Sequence, residues 1–266
     1  MDGKPEILKL PRFSDRRGSL SFAEENTHIP FAVRRTRWIY GASADSLKAE
    51  KTGSELLIIA LCGSADLKVN TADSSSFFRL DASDKSLYVP KNAVVEMNSV
   101  SDDSFILLFE GDESKDGNVV NTQSVFELQK DYLSRCGIIE LPLEEKTDNG
   151  GIVGVKNGSD LPFNVRRVYY MYDVPGDLSR GGHAHKYLHQ IIIPAAGRFK
   201  VTLWNGRERV DYTLDDARRG LYVHSGIWNE LSDFSPGAVC MVLASDLFDA
   251  EDYLSSEQEY RDFLLS

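Results

Sequence analysis

The chain has 266 residues, with 30 lysines and arginines against 41 aspartates and glutamates, and its formal charge of -11 excludes the basic surplus of a general nucleic-acid binder. No run approaches the roughly 18 apolar residues of a membrane span, and Met1-Asp2-Gly3-Lys4-Pro5 begins no apolar signal core. Cys62, Cys136 and Cys240 form no CxxC, and two of them sit in apolar strand-like runs, so reduced thiols and a cytoplasmic location are expected.

The first half carries Ile29-Pro30-Phe31-Ala32-Val33-Arg34-Arg35, followed by an aromatic, strand-like run with Trp38 and Tyr40. Apolar runs at residues 56–61, 67–69, 87–89 and 105–109 then read as short strands. Residues 111–121, rich in Asp, Ser and Gly, predict a loop, residues 124–133 an amphipathic helix, and the surroundings of Cys136 the link between domains. The second half repeats this order, with Leu161-Pro162-Phe163-Asn164-Val165-Arg166-Arg167 leading into Tyr169, Tyr170 and Tyr172. Residues 190–194, 221–224 and 239–244 read as strands. Phe199, Val201 and Leu203 alternate with Lys200, Thr202 and Trp204, Asn205-Gly206 offers a turn, and Val210, Tyr212 and Leu214 alternate again, which predicts a β-hairpin. Residues 256–264 predict a closing amphipathic helix.

The two halves keep one register. Ile29 to Arg35 meets Leu161 to Arg167 at a shift of 132, while Cys62-Gly63 meets Ala196-Gly197 and Leu87-Tyr88-Val89-Pro90 meets Leu221-Tyr222-Val223-His224 at a shift of 134. This agreement identifies a duplication, with domains at 1–135 and 136–266. Many short, evenly spaced strands in each copy predict an all-β sandwich or barrel.

Four of the five histidines fall between His183 and His224, and three of those form the pattern His183-x-His185-x-x-x-His189. On a strand, His183 and His185 project from one face, because the side-chain period is two. Imidazole titrates near neutrality, so a pair facing one pocket is suited to acid/base work. Hydrogen-bonded structural histidines are the bland alternative, weakened by the neighbouring Arg180, Gly181 and Gly182. The run resembles the first cupin motif, closing on Gly197. In the second motif Asn229 stands where a metal cupin has a histidine, and His189 replaces the acid of the first. Three histidines with open positions leave a zinc or iron site as an alternative.

The segments LPFNVRRVYYMYDVPGDLSRGGHAHKYLHQ, GLYVHSGIWNELSDFSP and MVLASDLFDAEDY resemble the WxcM-like sugar isomerases, nucleotide-sugar 3,4-ketoisomerases acting on dTDP-4-keto-6-deoxyglucose. The resemblance covers essentially all of the second copy. It implies an RmlC-like cupin (jelly-roll) barrel, which with the repeat and the closing helices gives an all-β fold of two tandem RmlC-like cupin (jelly-roll) barrels, each with a short C-terminal helix. It further implies an isomerase without metal or organic cofactor, working through an enediolate on a sugar destined for surface polysaccharide. His183 and His185 are then the base and acid, in no fixed order. Tyr170 and Arg180 stabilise the enediolate or hold the pyrophosphate, since Arg gives planar, charge-assisted contacts. Arg167, His189, Tyr222, Trp228 and Asn229 are candidates for substrate binding, although Tyr170 and Trp228 equally suit a core and Arg167 a solvated strand edge. A dTDP-linked sugar is the expected partner, and pairing into a homodimer stays open.

The family's D-x-R-G-S-L segment survives only in the first copy, as Asp15-Arg16-Arg17-Gly18-Ser19-Leu20, and Ala49, Lys51 and Glu55 there replace the three histidines. Either Arg17 completes the second copy's site, as in dimers with exchanged N-terminal strands, or it survives as a structural turn. A non-catalytic sugar-nucleotide-binding protein is the rival function.

Overall fold

The computed structural model describes residues 3–41, 49–112, 132–146 and 150–266. The loop expected at 111–121 and the helix expected at 124–133 lie mostly outside them. Leu133, the last residue of that expected helix, opens a 3-10 turn, Leu133–Arg135.

The first copy contributes β1 (Glu6–Lys9), β2 (Arg12–Asp15), β3 (Gly18–Glu24), β4 (Arg35–Tyr40), β5 (Glu50–Lys51), β6 (Leu56–Cys62), β7 (Ala65–Asn70), β8 (Ser75–Leu80), β9 (Lys85–Val89), β10 (Val94–Val100) and β11 (Phe105–Glu110). The second repeats them as β12 (Gly137–Glu140), β13 (Leu143–Lys146), β14 (Gly151–Lys156), β15 (Arg167–Tyr172), β16 (Arg180–His185), β17 (Gln190–Ala196), β18 (Phe199–Trp204), β19 (Arg209–Leu214), β20 (Arg219–Val223), β21 (Trp228–Ser232) and β22 (Val239–Ala244), and adds β23 (Tyr253–Leu254) and α1 (Glu257–Leu265). The duplication read from the sequence thus reappears strand for strand, in an all-β architecture.

The strands form two units, each a pair of facing sheets. One unit has the sheet β1-β9-β6-β11-β4-β14-β13 and the sheet β5-β10-β7-β8. The other has β12-β20-β17-β22-β15-β3-β2 and β19-β18-β21-β16-β23. The last two strands of each large sheet come from the opposite half of the sequence. The compact units are accordingly discontinuous: residues 141–164 belong with the first and residues 13–20 with the second, where the sequence reading places a single boundary between 135 and 136.

Each unit has its own core. Ile58, Leu67, Val69, Leu87, Ile106 and their neighbours fill the first. Ile192, Phe199, Val201, Leu221, Val223, Leu231, Cys240 and Val242 fill the second. The β18–β19 hairpin closes through four residues rather than two, because Asn205 Oδ1 accepts from the backbone N–H groups of both Arg207 (3.0 Å) and Glu208 (2.8 Å). At α1, Ser256 and Glu259 form a capping box, which fixes the helix start. Tyr260 is fully buried against Trp204 and Trp228, and its hydroxyl donates to the carbonyls of Trp204 and Gly226, both at 2.9 Å. Truncating such an aromatic to alanine costs about 3–5 kcal/mol.

Candidate active site

The second unit's candidate site is built on β16. Its partner β21 faces inward at Leu231, a core residue, and therefore also at Asn229, two positions away. The register sets Arg180 opposite Leu231 but His183 opposite Asn229, so three steps on β16 match two on β21. That extra residue is a β-bulge, and it puts Arg180 and His183 on one face, where a regular strand would point them apart. Gly181 and Gly182 make the bulge, with φ of 72° and 70°. A Cβ on Gly181 would also lie 2.9 Å from the Asn229 carbonyl oxygen. Ala184 points the other way, into the cluster with Trp204, Trp228 and Tyr260, which leaves His183 and His185 together on the inner face.

The imidazoles of His183 and His185 lie edge to face, 5.0 Å apart, with the Tyr253 ring 5.0 Å from one and 4.3 Å from the other. Asp252 Oδ2 is 2.7 Å from His185 Nδ1, and its Oδ1 accepts from the Tyr187 N–H at 2.7 Å. Burial alone would raise the Asp252 pKa, but the hydrogen bond from His185 and the N–H groups of Tyr187 and Leu188 outweigh it and hold the carboxyl below its usual range. Burial lowers the pKa of His183 to about 4, helped by His185. It also lowers that of His185, against the pull of Asp252. Both rings are therefore neutral at pH 7. With its Nδ1 proton directed at a carboxylate, His185 keeps a lone pair on Nε2, which is buried and has no hydrogen-bond partner among the described residues.

Arg167 is buried on the same inner face, its guanidinium 5.4 Å from the Tyr169 ring and 5.7 Å from that of Phe248. Tyr169 pairs with Val242 of the core, so it too faces inward, and burial followed by the neighbouring Tyr253 raises its pKa. Arg180 lies towards the other end of β15. Burial first, and then Arg17, lower the Arg180 pKa, while Asp15 opposes them. Asp15 Oδ1 stands 3.5 Å from Arg180 Nη1, and Asp15 is itself chelated by Arg17, with Nη2 at 2.8 Å and Nε at 3.1 Å from Oδ2. The first copy's D-x-R-G-S-L segment thus reaches the second unit's Arg180 through one shared carboxylate. Its turn depends on Gly18, at φ 108°, where a Cβ would lie 2.8 Å from the carbonyl oxygens of Tyr172 and Asp173.

The remaining sequence candidates except Asn229 are placed elsewhere. Tyr170 pairs with Met241 on the opposite sheet face, fully buried beside Tyr172. His189 and Tyr222 also face away from His183 and His185: His189 Nδ1 lies 2.8 Å from the Tyr222 hydroxyl, and its ring 4.5 Å from that of His224. Trp228 packs beneath α1 against Trp204 and Tyr260. Asn229 stays at the pocket, its Nδ2 donating to the His183 carbonyl at 3.3 Å. The three-histidine metal alternative needs His189 beside His183 and His185, and the sheet separates them. Among the described residues, no three His, Cys, Asp or Glu side chains are grouped to hold a metal ion. Asp252, Tyr253 and Tyr169 were not singled out in the sequence reading. The first two stand in its quoted MVLASDLFDAEDY segment, whose acidic residues carry no pattern that ties one of them to His185.

The first unit answers position for position. Arg35 and Arg37 occupy the places of Arg167 and Tyr169, and Glu110 that of Ala244. Arg37 Nη1 lies 3.1 Å from Glu110 and 3.5 Å from Glu50, its Nε 3.1 Å from Glu144, and Arg35 pairs with both Glu110 and Glu144. This ion network occupies the inner positions that hold Arg167, Tyr169 and Ala244 in the second unit. On the outer face, Tyr88 donates to Glu55 at 2.5 Å, just as Tyr222 pairs with His189. The outer pair therefore recurs in the copy that lacks the histidines.

The family profile described as FdtA, WxcM-like, C-terminal, matches twice, over residues 3–129 and 134–264. A curated protein of Aneurinibacillus thermoaerophilus, TDP-4-oxo-6-deoxy-alpha-D-glucose-3,4-oxoisomerase, is 38% identical over 115 residues, which are 43% of this chain and 83% of that protein. Among solved structures, QdtA, a sugar 3,4-ketoisomerase from Thermoanaerobacterium thermosaccharolyticum in complex with TDP, is 33% identical over 50% of this chain and 96% of its own, with a TM-score of 0.48. The WlaRB TDP-quinovose 3,4-ketoisomerase of Campylobacter jejuni is 34% identical over 49% and 98%, with a TM-score of 0.45. Nearly the whole of each solved relative corresponds to about half of this chain. With both halves matched, the chain belongs to the FdtA (WxcM-like, C-terminal) family, as a tandem pair.

Proposed function

We propose that the chain is an isomerase that moves the ketone of a TDP-linked 4-keto-6-deoxy sugar from carbon 4 to carbon 3, using the second unit's pocket. The observation that carries this reading is the His185–Asp252 pair, a neutral imidazole with one nitrogen held by a carboxylate and the other buried and unpartnered. Such an arrangement suits abstraction of a proton next to a ketone. His185 Nε2 takes the proton from carbon 3, and the electron pair moves through the carbon 3–carbon 4 bond onto the carbon 4 oxygen. His183 relays the hydroxyl proton from the carbon 3 oxygen to the carbon 4 oxygen. The enediolate then collapses to a ketone at carbon 3, and His185, whose proton exchanges with solvent while the enediolate persists, protonates carbon 4.

Arg167 and Tyr169 supply positive charge and a hydroxyl where negative charge develops. Arg180 and Arg17, which share the Asp15 carboxylate, suit the diphosphate of the nucleotide. From the strand rise, Arg167 and the Tyr172 end of β15 are about 17 Å apart, room for a sugar at one end and a diphosphate at the other. Incubating the purified protein with TDP-4-keto-6-deoxyglucose and following the products by carbon-13 NMR tests the reading. The expected outcome is a 3-keto isomer, and its absence overturns the proposal.

A further inference from the structure

Gln190 opens β17 with 1% exposure, yet among the described residues neither its Nε2 nor its Oε1 has a hydrogen-bond partner. Native interiors pair such amides, because a buried donor and acceptor left open are costly. The register shows where the amide sits. Ala244 pairs with Gln190 on one side and with Arg167 on the other, so the three side chains share one inner rung, continued by Val223 opposite Gln190. The alanine methyl leaves room above the rung. Two other open atoms face this interior, Arg167 Nε and His185 Nε2. In the first unit the same rung reads Arg35, Glu110, Leu56 and Val89, with a carboxylate filling the gap and an apolar side chain in place of the amide.

We infer that Gln190 contacts the sugar at its reacting carbons, donating its amide N–H to the oxygen that carries the developing negative charge and accepting from the neighbouring hydroxyl. The inference rests on the isomerase reading and adds to it the residue that reads the reacting oxygens. A 4-keto sugar presents one acceptor and one donor on adjacent carbons, and its 3-keto product presents the same two in reverse order. A carboxamide has one donor group and one acceptor group, so it complements both, and half a turn about its last side-chain bond exchanges them. A carboxylate cannot donate and an ammonium cannot accept. Gln190 thereby reads two oxygens on adjacent carbons, one accepting and one donating, a pair that a vicinal diol also presents.

The test uses the full chain with Gln190→Leu and the isosteric Gln190→Glu, the second guarding against a folding failure of the first. Turnover of TDP-4-keto-6-deoxyglucose is measured together with the affinities for TDP and for TDP-glucose, which has hydroxyls at both carbons and no ketone. The expected result is a kcat lowered on the order of 100-fold, a TDP-glucose affinity lowered about tenfold, and a TDP affinity within about twofold of wild type. A variant retaining kcat within about threefold and TDP-glucose affinity within about twofold overturns the inference, as does an equal loss of TDP affinity. If the wild-type protein fails to turn over while the variants still lose TDP-glucose selectively, the isomerase reading falls and Gln190 remains a sugar contact. A wild-type protein that neither turns over nor separates TDP-glucose from TDP overturns both.

Discussion

Asp252 Oδ2 lies 2.7 Å from His185 Nδ1, although 67 residues separate the two in the sequence. The contact arises because β23 pairs with β16, setting Tyr253 opposite His185 and bringing the 3-10 turn Ala250–Asp252 alongside. It fixes which imidazole nitrogen keeps the lone pair. Asp252→Asn preserves the size of the side chain but removes the charge that holds the proton on Nδ1. A kcat loss on the order of 100-fold or more is expected, with TDP affinity nearly unchanged. Steady-state kinetics beside calorimetric TDP binding checks this.

Stability should fall in mild acid. His183 and His189 have folded pKa values of about 4, and that of His185 is also lowered, all from a usual 6.5. Between about 6.5 and about 4 the unfolded chain therefore binds more protons than the folded one, so stability rises with pH across that window and is lost as pH falls through it. Thermal midpoints measured from pH 7.5 down to pH 4.5 are expected to decline. The double variant His183→Asn, His189→Asn should flatten the decline.

Ala244 is the position at which the first unit carries its pocket-filling Glu110. Ala244→Glu in the second unit should reproduce that filling by pairing with Arg167, and turnover should drop below one-hundredth of wild type while the far-ultraviolet circular dichroism is retained. Loss of the fold would instead mean that the rung has no spare room.

Arg17 lies half-exposed beside Asp15, and through it reaches Arg180. Arg17→Ala should weaken TDP binding about three- to tenfold, in line with an exposed charged contact, with the wild-type affinity falling more steeply with salt than that of the variant. Unchanged affinity would return Arg17 to a structural turn.

The shared strand face of His183 and His185, the glycine pair beside Arg180 and the two-copy strand order were legible in the sequence because each depends on local spacing, whereas Asn229 was marked only by the second cupin motif. The faces assigned to the aromatic residues were not. The run Tyr169-Tyr170 offers one inward and one outward side chain, and only the pairing of β15 with β22 decides that Tyr169 is the inward one. His189 follows a turn after His185, so its four-residue spacing does not preserve the strand face. Asp252 and Gln190 stayed hidden for another reason: neither belongs to a local motif, and each gains its role from a partner brought in by the fold. The exchanged strands have the same character, since a repeat in the sequence does not say which copy's strand closes which sheet.

The central claim is that one site, in the second unit, performs the proton transfer with His185 as base. The direct measurement is deuterium incorporation from heavy water into TDP-4-keto-6-deoxyglucose and its isomer, followed by proton NMR for wild type, His185→Asn and the first-unit variant Arg37→Gln. The account predicts incorporation at carbons 3 and 4 for wild type and Arg37→Gln, and a rate at least about a thousandfold lower for His185→Asn. Exchange at the wild-type rate in His185→Asn would contradict it.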